Sequence, residues 1–307
     1  MREMTSLADI VRAVRESGSP PKVAVARSAE GFVLEAAVQA HEAGIAEPIL
    51  VGDAEATRSV AKTLGLDISD LEIIPIRSDD EAVFEAVRLF REGRAELIMK
   101  GLVSTATLLK AVLNKETGVP PKAGILSHVT VFDSPVGGLT LLTDAGVNIK
   151  PTLQRKVDIL KNALDVARRL GLSQPRCALL AATEKVNYPA MPATMEADVI
   201  ARMAEQGEFG DALVAGPLSL DLALSPDSAR CKGVDGPVAG CANVLLTPDI
   251  ESGNVLYKAL ATLCRTPLAS VVVGSRVPVV VPSRADTPDS KFNSMALAAY
   301  LSRTETP

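Results

Sequence analysis

Aromatic residues are scarce in this sequence, and their scarcity excludes one class of function. They make up 3% of the 307 residues, and tryptophan is absent. Single-stranded nucleic acids are bound on surfaces where bases stack on aromatic rings, so this composition argues against such a surface. A formal net charge of −5 and a pI of about 5.3 argue equally against a general binder of polyanions. The sequence therefore predicts no nucleic-acid partner.

Metal ligands and membrane segments are also lacking. The four cysteines form no C-x-x-C pair, and only His41 and His128 could add imidazole ligands, so no metal site is expected. Scattered cysteines in a chain of this length favour free thiols in a reducing cytoplasm. The apolar stretch 268–281 is too short to cross a bilayer, and the charged, amphipathic start is unlike a signal peptide. We expect a cytoplasmic protein without a membrane partner.

Apolar runs that predict strands alternate with amphipathic runs that predict helices over the first hundred residues. The predicted strands are continuous apolar runs, which are typical of parallel strands covered by helices on both faces. They span 22–26, 48–52, 71–75 and 95–99, and the helices between them span 32–43, 55–64 and 80–92. Repeated strand–helix–strand units predict an α/β fold with doubly wound, mostly parallel sheets.

The alternation is interrupted near residues 125–144, where two strands joined by turn residues predict a hairpin. A long helix, 151–170, follows, and strand–helix alternation then resumes through residue 277. We assign 1–125 plus 278–307 to a first domain, discontinuous in sequence, and 126–277 to a second. Two such domains predict an active site in the cleft between them.

The segment VVVPSRADTPDSK, residues 279–291, combines a short strand, a polar turn and a helix start. Thr287 can cap the helix, with Pro288 as its first residue. Ser283, Arg284 and Asp286 therefore share a loop at a strand's carboxyl end, where ligands bind in open α/β sheets. The alternative interpretation is a surface ion pair between Arg284 and Asp286.

Another strand-to-helix turn, KGLVST, follows the fourth predicted strand. It offers Lys100 to an anion, Gly101 for a tight backbone, and Ser104 or Thr105 as a helix cap. The G-x-x-x-x-G-K-[ST] spacing of a P-loop is absent. Ordinary turn chemistry explains the same residues, so both interpretations stay open.

Four further polar residues stand near predicted strand ends or helix starts. His128 lies in the hairpin, and Asn148 lies in the turn DAGVNIKP. Asn254 and Lys258 are four residues apart on a helix predicted over 253–264, so they share one face within its first turns, and we interpret them as a phosphate-binding pair. The alternatives are a structural histidine, capping asparagines and a solvated lysine.

Two catalytic motifs are missing. No serine stands in a G-x-S-x-G elbow, and no G-x-G-x-x-G follows the first predicted strand. A hydrolase triad therefore has no support, and a nicotinamide dehydrogenase is disfavoured.

Together, the turn segments resemble the phosphate acetyl/butyryl transferase family, in one order from residue 22 to the C-terminus. LSHVTVFD and SRADT are more similar to phosphate butyryltransferases than to the acetyl enzymes. The matching segments are KGLVSTATLLKAVL, LSHVTVFD, TDAGVNIKPTLQRKVDI, ATEKVNYPAMPAT, GPLSLDLAL, VAGCANVLLTPDIESGNVLYKAL and VVVPSRADT.

The resemblance implies a two-domain fold related to isocitrate and isopropylmalate dehydrogenases, a homodimer, and an active site in the interdomain cleft. It implies the reversible reaction of acyl-CoA with inorganic phosphate to give acyl phosphate and CoA. Coenzyme A is then a substrate, and no metal or bound cofactor is needed.

Within this reaction, Arg284 would hold phosphate, and Ser283 would donate to the phosphate or to the developing oxyanion. A carboxylate near the CoA sulfur would accept the thiol proton in the reverse direction. Asp286 and Asp289 both qualify. We favour Asp286, because Asp289 falls in the first turn of a helix, where a negative charge is explained by its favourable interaction with the helix dipole. Lys100, Lys150 or Lys258 would replace the family's upstream arginines.

Three alternatives stay open. An acyl-enzyme could form on Cys231 or Cys241, although a direct ternary complex is favoured. A decarboxylating dehydrogenase of the related fold would need an acidic metal cluster and an adenine-nucleotide loop, and neither is found. The third alternative is a non-catalytic protein that binds CoA or acyl phosphate.

Overall fold

The computed structural model describes residues 3–121, 124–134, 137–283 and 285–304. The chain divides into two compact units, which we name by their place in the sequence. The flanking unit comprises Leu7–Ala123 and Pro267–Glu305, and the inserted unit comprises Gly124–Thr266. The residues before Leu7 belong with the inserted unit, where the Met4 N–H donates to the Leu170 carbonyl at 2.9 Å.

Strands and helices are numbered in chain order. Within the described residues the strands are β1 (Lys22–Ala26), β2 (Glu47–Gly52), β3 (Glu72–Pro75), β4 (Leu97–Lys100), β5 (Ser127–Asp133), β6 (Leu139–Thr143), β7 (Arg176–Leu180), β8 (Leu213–Leu218), β9 (Val244–Leu246), β10 (Ala269–Val273) and β11 (Val279–Val280).

The α-helices of the same residues are α1 (Leu7–Glu16), α2 (Gly31–Glu42), α3 (Ala54–Leu64), α4 (Asp79–Arg91), α5 (Thr105–Val112), α6 (Leu153–Arg169), α7 (Pro192–Glu205), α8 (Leu220–Leu224), α9 (Pro226–Lys232), α10 (Ile250–Lys258) and α11 (Pro288–Arg303). A π-helical turn, Ala259–Leu263, continues α10.

The flanking unit is built on strands in the order β3-β2-β1-β4-β11-β10. Neighbouring strands are parallel, except that β10 and β11 are antiparallel. All of β1 after Lys22 is buried, as its continuous apolar sequence predicts for a strand covered on both faces. The prediction of an α/β fold with mostly parallel strands is confirmed.

The inserted unit has the strand order β5-β6-β9-β7-β8. Strands β5 and β6 form an antiparallel hairpin, in which Val129 pairs with Thr143 and Asp133 pairs with Leu139. Strands β6, β9, β7 and β8 are mutually parallel neighbours. The predicted hairpin is therefore present, and the carboxyl ends of β6, β9 and β7 share one edge.

The second segment of the flanking unit begins earlier than the predicted boundary at residue 278. It begins at Pro267 because β10 pairs with β11, with Val272 opposite Val279. The sequence assigned β10 to the second domain, since an apolar strand does not reveal which neighbour it will pair with.

Helix starts follow local side-chain chemistry. Side-chain oxygens at the N-cap accept backbone N–H groups that have no partner within the helix, a contribution typically worth about 0.5–2 kcal/mol. The capping residues of this kind are Asp53, Ser78, Ser104, Thr152, Ser225, Asp249 and Thr287. Among the residues described, no helix combines the length and apolarity needed to cross a bilayer.

Helix α11 is fixed beside β10 by two buried serine hydroxyls. Ser290 Oγ accepts from the Leu268 N–H at 3.1 Å, and Ser294 Oγ accepts from the Ser270 N–H at 2.8 Å. Ser294 also donates to the Ser290 carbonyl at 2.6 Å. These bonds fix α11 against the start of β10.

Candidate active site

Polar side chains gather where three neighbouring strands of the flanking unit end. Strands β1, β4 and β11 are adjacent and parallel, and neighbouring strands lie about 4.8 Å apart. Arg27 follows β1, Lys100 ends β4, and Ser283 and Asp286 follow β11. We call these four residues the flanking-unit edge. The structure thus brings Ser283, Asp286 and Lys100 to the same end of the sheet.

The loop after β11 is closed by Asp286. Its Oδ2 accepts from the Ser283 N–H at 2.7 Å, and its own N–H donates to the Ser283 carbonyl at 3.1 Å. Arg284 lies outside the described residues. Asp289 is exposed in the first turn of α11. The carboxylate of Asp286 is therefore engaged with the loop, and the choice between Asp286 and Asp289 as base stays a prediction.

Lys291, which was not among the predicted site residues, lies beneath this loop. Its Nζ donates to the Asp286 carbonyl at 2.6 Å and lies 4.9 Å from the centre of the Phe32 ring. Burial lowers the pKa of the Lys291 ammonium, and the carboxylates of Asp286 and Glu35 oppose part of that shift. The sequence could have indicated this contact. Helical side chains point back toward the N-terminus of their helix, so a lysine in the first turn of α11 can reach the preceding loop.

Lys100 and Gly101 both make contacts that stabilise their own turn. The Lys100 ammonium donates to the carbonyls of Val103, at 3.1 Å, and Gly101, at 3.3 Å. A Cβ on Gly101 would lie 2.1 Å from the carbonyl oxygen of Arg27. Gly101 is therefore required for the close approach of two backbones, whether or not a ligand contacts it.

Ser104 is the N-cap of α5, as predicted, and Thr105 is the first residue of that helix. Ser104 Oγ accepts from the Thr107 N–H at 2.9 Å and lies 2.8 Å from the Thr107 hydroxyl. Ordinary capping thus accounts for the Ser104 hydroxyl in this structure. Binding of an anion by Ser104 and Thr105 stays a prediction.

Arg27 also lies at this edge, although it was not predicted as a site residue. It adopts a positive φ of 59°, its Nε lies 2.5 Å from Asp79 Oδ1, and its Nη1 donates to the Leu102 carbonyl at 2.5 Å. The signal that could have identified it is its position directly after the strand KVAVA, at the ligand-binding edge of the sheet.

In the inserted unit, Asp144 organises the turn that follows β6. Its Oδ1 accepts from the N–H groups of Gly146, at 2.8 Å, and Val147, at 2.9 Å. Its Oδ2 accepts from the side-chain amide of Asn148 at 2.7 Å, and the same amide donates to the Leu126 carbonyl at 2.8 Å. Asn148 therefore braces the turn in this structure, and a role in substrate binding stays a prediction.

His128 and Lys258 each contact the ring of Tyr257. His128, which is 7% exposed, makes an edge-to-face contact with Tyr257 at 6.0 Å between ring centres and 79° between planes. Lys258 Nζ lies 4.8 Å from the centre of the same ring. Tyr257 was not predicted, since nothing local distinguishes it from a core aromatic residue.

The prediction that Lys258 lies in the first turns of its helix is wrong. Asp249 caps α10, so the helix begins at Ile250, before the predicted start, and Lys258 is its last residue. Asn254 does lie nearer the start, and its Nδ2 donates to the Ala145 carbonyl at 3.1 Å. A Cβ on Gly253 would lie 2.5 Å from the Asp144 carbonyl oxygen, so glycine lets α10 dock on this turn.

A cavity of about 680 Å³ opens in the inserted unit where β7 and β9 end. It is mainly apolar, and its lining includes Met191, Leu220, Thr247, Val255 and Ala259. Thr247 connects the cavity to the Asp144 turn, because its Oγ1 lies 3.3 Å from the Thr143 carbonyl oxygen. This cavity was not predicted from the sequence.

All four cysteines are free thiols. Cys177 is buried, whereas Cys231, Cys241 and Cys264 are exposed. Burial raises the pKa of the Cys177 thiol, and a hydrogen bond with the backbone of Leu246 opposes only part of that shift. Within the described parts of the chain, no group of three or more histidine, cysteine or acidic residues is placed to hold a metal ion.

We expect a thiol reagent such as DTNB to titrate three cysteines in the native protein, because thiolate is the reactive form and Cys177 is both buried and protonated. Cys177 should react only in denaturant. The variant Cys177→Ala should leave the native titration unchanged and remove one equivalent after denaturation. Rapid reaction of a fourth native thiol would contradict this expectation.

Comparison with known proteins identifies the family. The model of the phosphate acetyl/butaryl transferase family matches residues 6–86 and 79–299. The chain belongs to the phosphate acetyl/butyryl transferase family. The resemblance drawn from the turn segments is thereby confirmed.

Individual relatives of this family member align over almost its whole length. It is 43% identical over 282 residues to a phosphate butyryltransferase of Clostridium acetobutylicum, which covers 91% of this chain and 93% of the relative. It is 40% identical over 297 residues to a phosphate acetyltransferase of Rhizobium meliloti, covering 96% and 93%. The crystal structure of a branched-chain phosphotransacylase from Enterococcus faecalis V583 has a TM-score of 0.81 and 32% identity, covering 93% of this chain and 100% of that one.

Proposed function

We propose that this chain catalyses the reversible transfer of a short acyl group, from acetyl to butyryl, between CoA and inorganic phosphate. The observation that carries the proposal is family membership over nearly the whole chain. The flanking-unit edge supports it, because it combines a hydroxyl, a carboxylate and two cations at the end of three adjacent strands. A nicotinamide or metal reaction finds no comparable support.

In the forward direction a phosphate oxygen attacks the thioester carbonyl carbon. The new carbon–oxygen bond forms, negative charge builds on the carbonyl oxygen, and the carbon–sulfur bond then breaks to release CoA as a thiolate. We assign phosphate binding to Arg284, whose planar fork suits two phosphate oxygens. Ser283 donates to the phosphate or to the oxyanion, and either role would lower the barrier.

In the reverse direction the CoA thiol must lose its proton before it attacks the acyl phosphate. We assign that proton to the carboxylate of Asp286, with Asp289 as the alternative. Holding both substrates together supplies much of the catalysis, since proximity and orientation can be worth about 7–11 kcal/mol. Lys100, Gly101, Ser104 and Thr105 would bind anionic groups at the same edge.

His128, Asn148, Asn254 and Lys258 are proposed to bind CoA or phosphate from the inserted unit. Their support is that two hydrogen bonds and two ring contacts gather them around the Asp144 turn and Tyr257. The isocitrate/isopropylmalate dehydrogenase-like class, the homodimer and the cytoplasmic location also remain proposals. Sedimentation or light scattering at several protein concentrations would test the homodimer.

The reaction is tested by mixing the protein with acetyl-, propionyl- or butyryl-CoA and phosphate, without added metal, and following both free CoA and acyl phosphate. We expect equal amounts of the two products, formed only when phosphate is present. Turnover that needs a nicotinamide would favour the dehydrogenase, and CoA binding without turnover would favour the non-catalytic alternative. Retained turnover in a Cys231→Ser, Cys241→Ser double variant would exclude the acyl-enzyme route through these thiols.

A further inference from the structure

Lys291 is a buried cation that follows Asp286 of the proposed catalytic loop by five residues, and its contact with Asp286 places it to control that loop. It is the fourth residue of α11, and the residue is 5% exposed. Because helical side chains point back toward the N-terminus, its ammonium reaches the loop that precedes the helix. There it donates to the Asp286 carbonyl at 2.6 Å.

A buried ammonium is costly to retain unless its contacts compensate for lost hydration. Here the compensation comes from the Asp286 carbonyl, from the face of Phe32, and from the negative charges of Asp286 and Glu35. A methionine would fill a similar volume without a buried charge. The feature that distinguishes lysine at this position is therefore its bond to the loop.

The peptide of Asp286 is held from two sides. Its N–H donates to the Ser283 carbonyl, its carboxylate accepts the Ser283 N–H, and its carbonyl accepts from Lys291. These three bonds join the Asp286 carboxylate, the Ser283 backbone and Lys291 to one another. Removal of the Lys291 bond would take away the donor to the Asp286 carbonyl and so loosen one of the constraints on this peptide.

We propose that Lys291 is a positioning residue for acyl transfer, which acts by fixing the Ser283–Asp286 turn from beneath. This inference rests on the proposed function, and it adds a residue that touches neither substrate. Displacing reacting groups by about 1 Å can cost on the order of 10²-fold in rate. Lys291 would therefore affect turnover more than the binding of acyl-CoA.

The test compares Lys291→Met, Lys291→Gln and Ser294→Ala. We expect kcat to fall roughly 10- to 10²-fold in Lys291→Met, while the KM for acyl-CoA changes by less than about twofold. Lys291→Gln keeps a donor and should lie between Lys291→Met and the wild type. It also decides the question if Lys291→Met fails to fold. Ser294→Ala removes a buried bond from the next turn of α11, so it should lower stability and leave kcat unchanged.

Hydrogen exchange of a peptide spanning residues 281–287 gives a readout that does not need activity. The Ser283 and Asp286 amides should exchange faster in Lys291→Met than in the wild type, with no such change in Ser294→Ala. If the wild type shows no acyl transfer but exchange changes in this way, the proposed function fails, whereas the anchoring of Ser283 and Asp286 by Lys291 stands. Unchanged exchange in Lys291→Met, or a kcat loss equal to that of Ser294→Ala, would overturn the inference.

Discussion

Replacing Arg284 by alanine is expected to lower phosphate-dependent release of CoA by roughly 10²–10³-fold, the usual cost of removing one donor to developing charge. The guanidinium is the group to which we assign the phosphate. Its loss removes two parallel N–H donors and one full positive charge. Initial rates measured over a range of phosphate concentrations would show whether kcat falls along with the affinity for phosphate.

Two further variants sharpen this experiment. Arg284→Lys keeps the charge and loses the planar fork, so its rate should lie between those of alanine and arginine. Arg276→Ala removes an exposed arginine from the turn between β10 and β11, and it should retain wild-type rates. Full activity in Arg284→Ala would remove the group on which the assignment of the phosphate site depends.

Replacing Gly101 by alanine is expected to cost about 3 kcal/mol of folding free energy, at the upper end of the usual cost of overpacking. The added Cβ would lie 2.1 Å from the Arg27 carbonyl oxygen and 2.4 Å from that of Ala26. Both atoms are backbone, so β1 and β4 would have to move apart. Because Lys100 and Arg27 flank this contact, activity should fall together with stability.

Gly31→Ala is the matched control, measured by urea or thermal unfolding. Its Cβ would meet only the end of the Leu64 side chain, at 3.2 Å, which can rotate away. Gly31 is also the first residue of α2, where alanine favours the helix. We expect Gly31→Ala to unfold at or above the wild-type midpoint. Equal midpoints for the two alanine variants would show that β1 and β4 can move apart at Gly101 without loss of stability, which would contradict the expectation.

Much of the fold could be predicted because its signals are local. Continuous apolar runs such as KVAVA predicted β1 with its bounds, and Thr287 and Pro288 predicted the start of α11. The start of α10 was predicted late, because Asp249 was not recognised as its cap. Helix α9 was not predicted, and Ala259–Leu263 were predicted as helical but not as a π-helical turn.

The candidate site was less accessible to sequence reasoning, because its contacts join distant segments. Lys100 and the 283–287 loop were identified, and their shared edge follows from the parallel pairing of β4 with β11. Arg27 and Lys291 were missed, since each acts on a carbonyl elsewhere: Arg27 on Leu102, and Lys291 on Asp286. A residue that supports a loop carries no motif of its own.

The late return of β10, β11 and α11 to the flanking unit has a consequence for biosynthesis. A ribosome releases β4 long before β11, so β4 has an unpaired edge until the entire inserted unit has been translated. Translation completes the strands of the inserted unit before those of the flanking unit. The inserted unit can therefore fold while the flanking unit is still incomplete. Nascent chains stalled before Pro267 should therefore be the species most in need of chaperones, because they expose both an open strand edge and the apolar surface that α11 later covers.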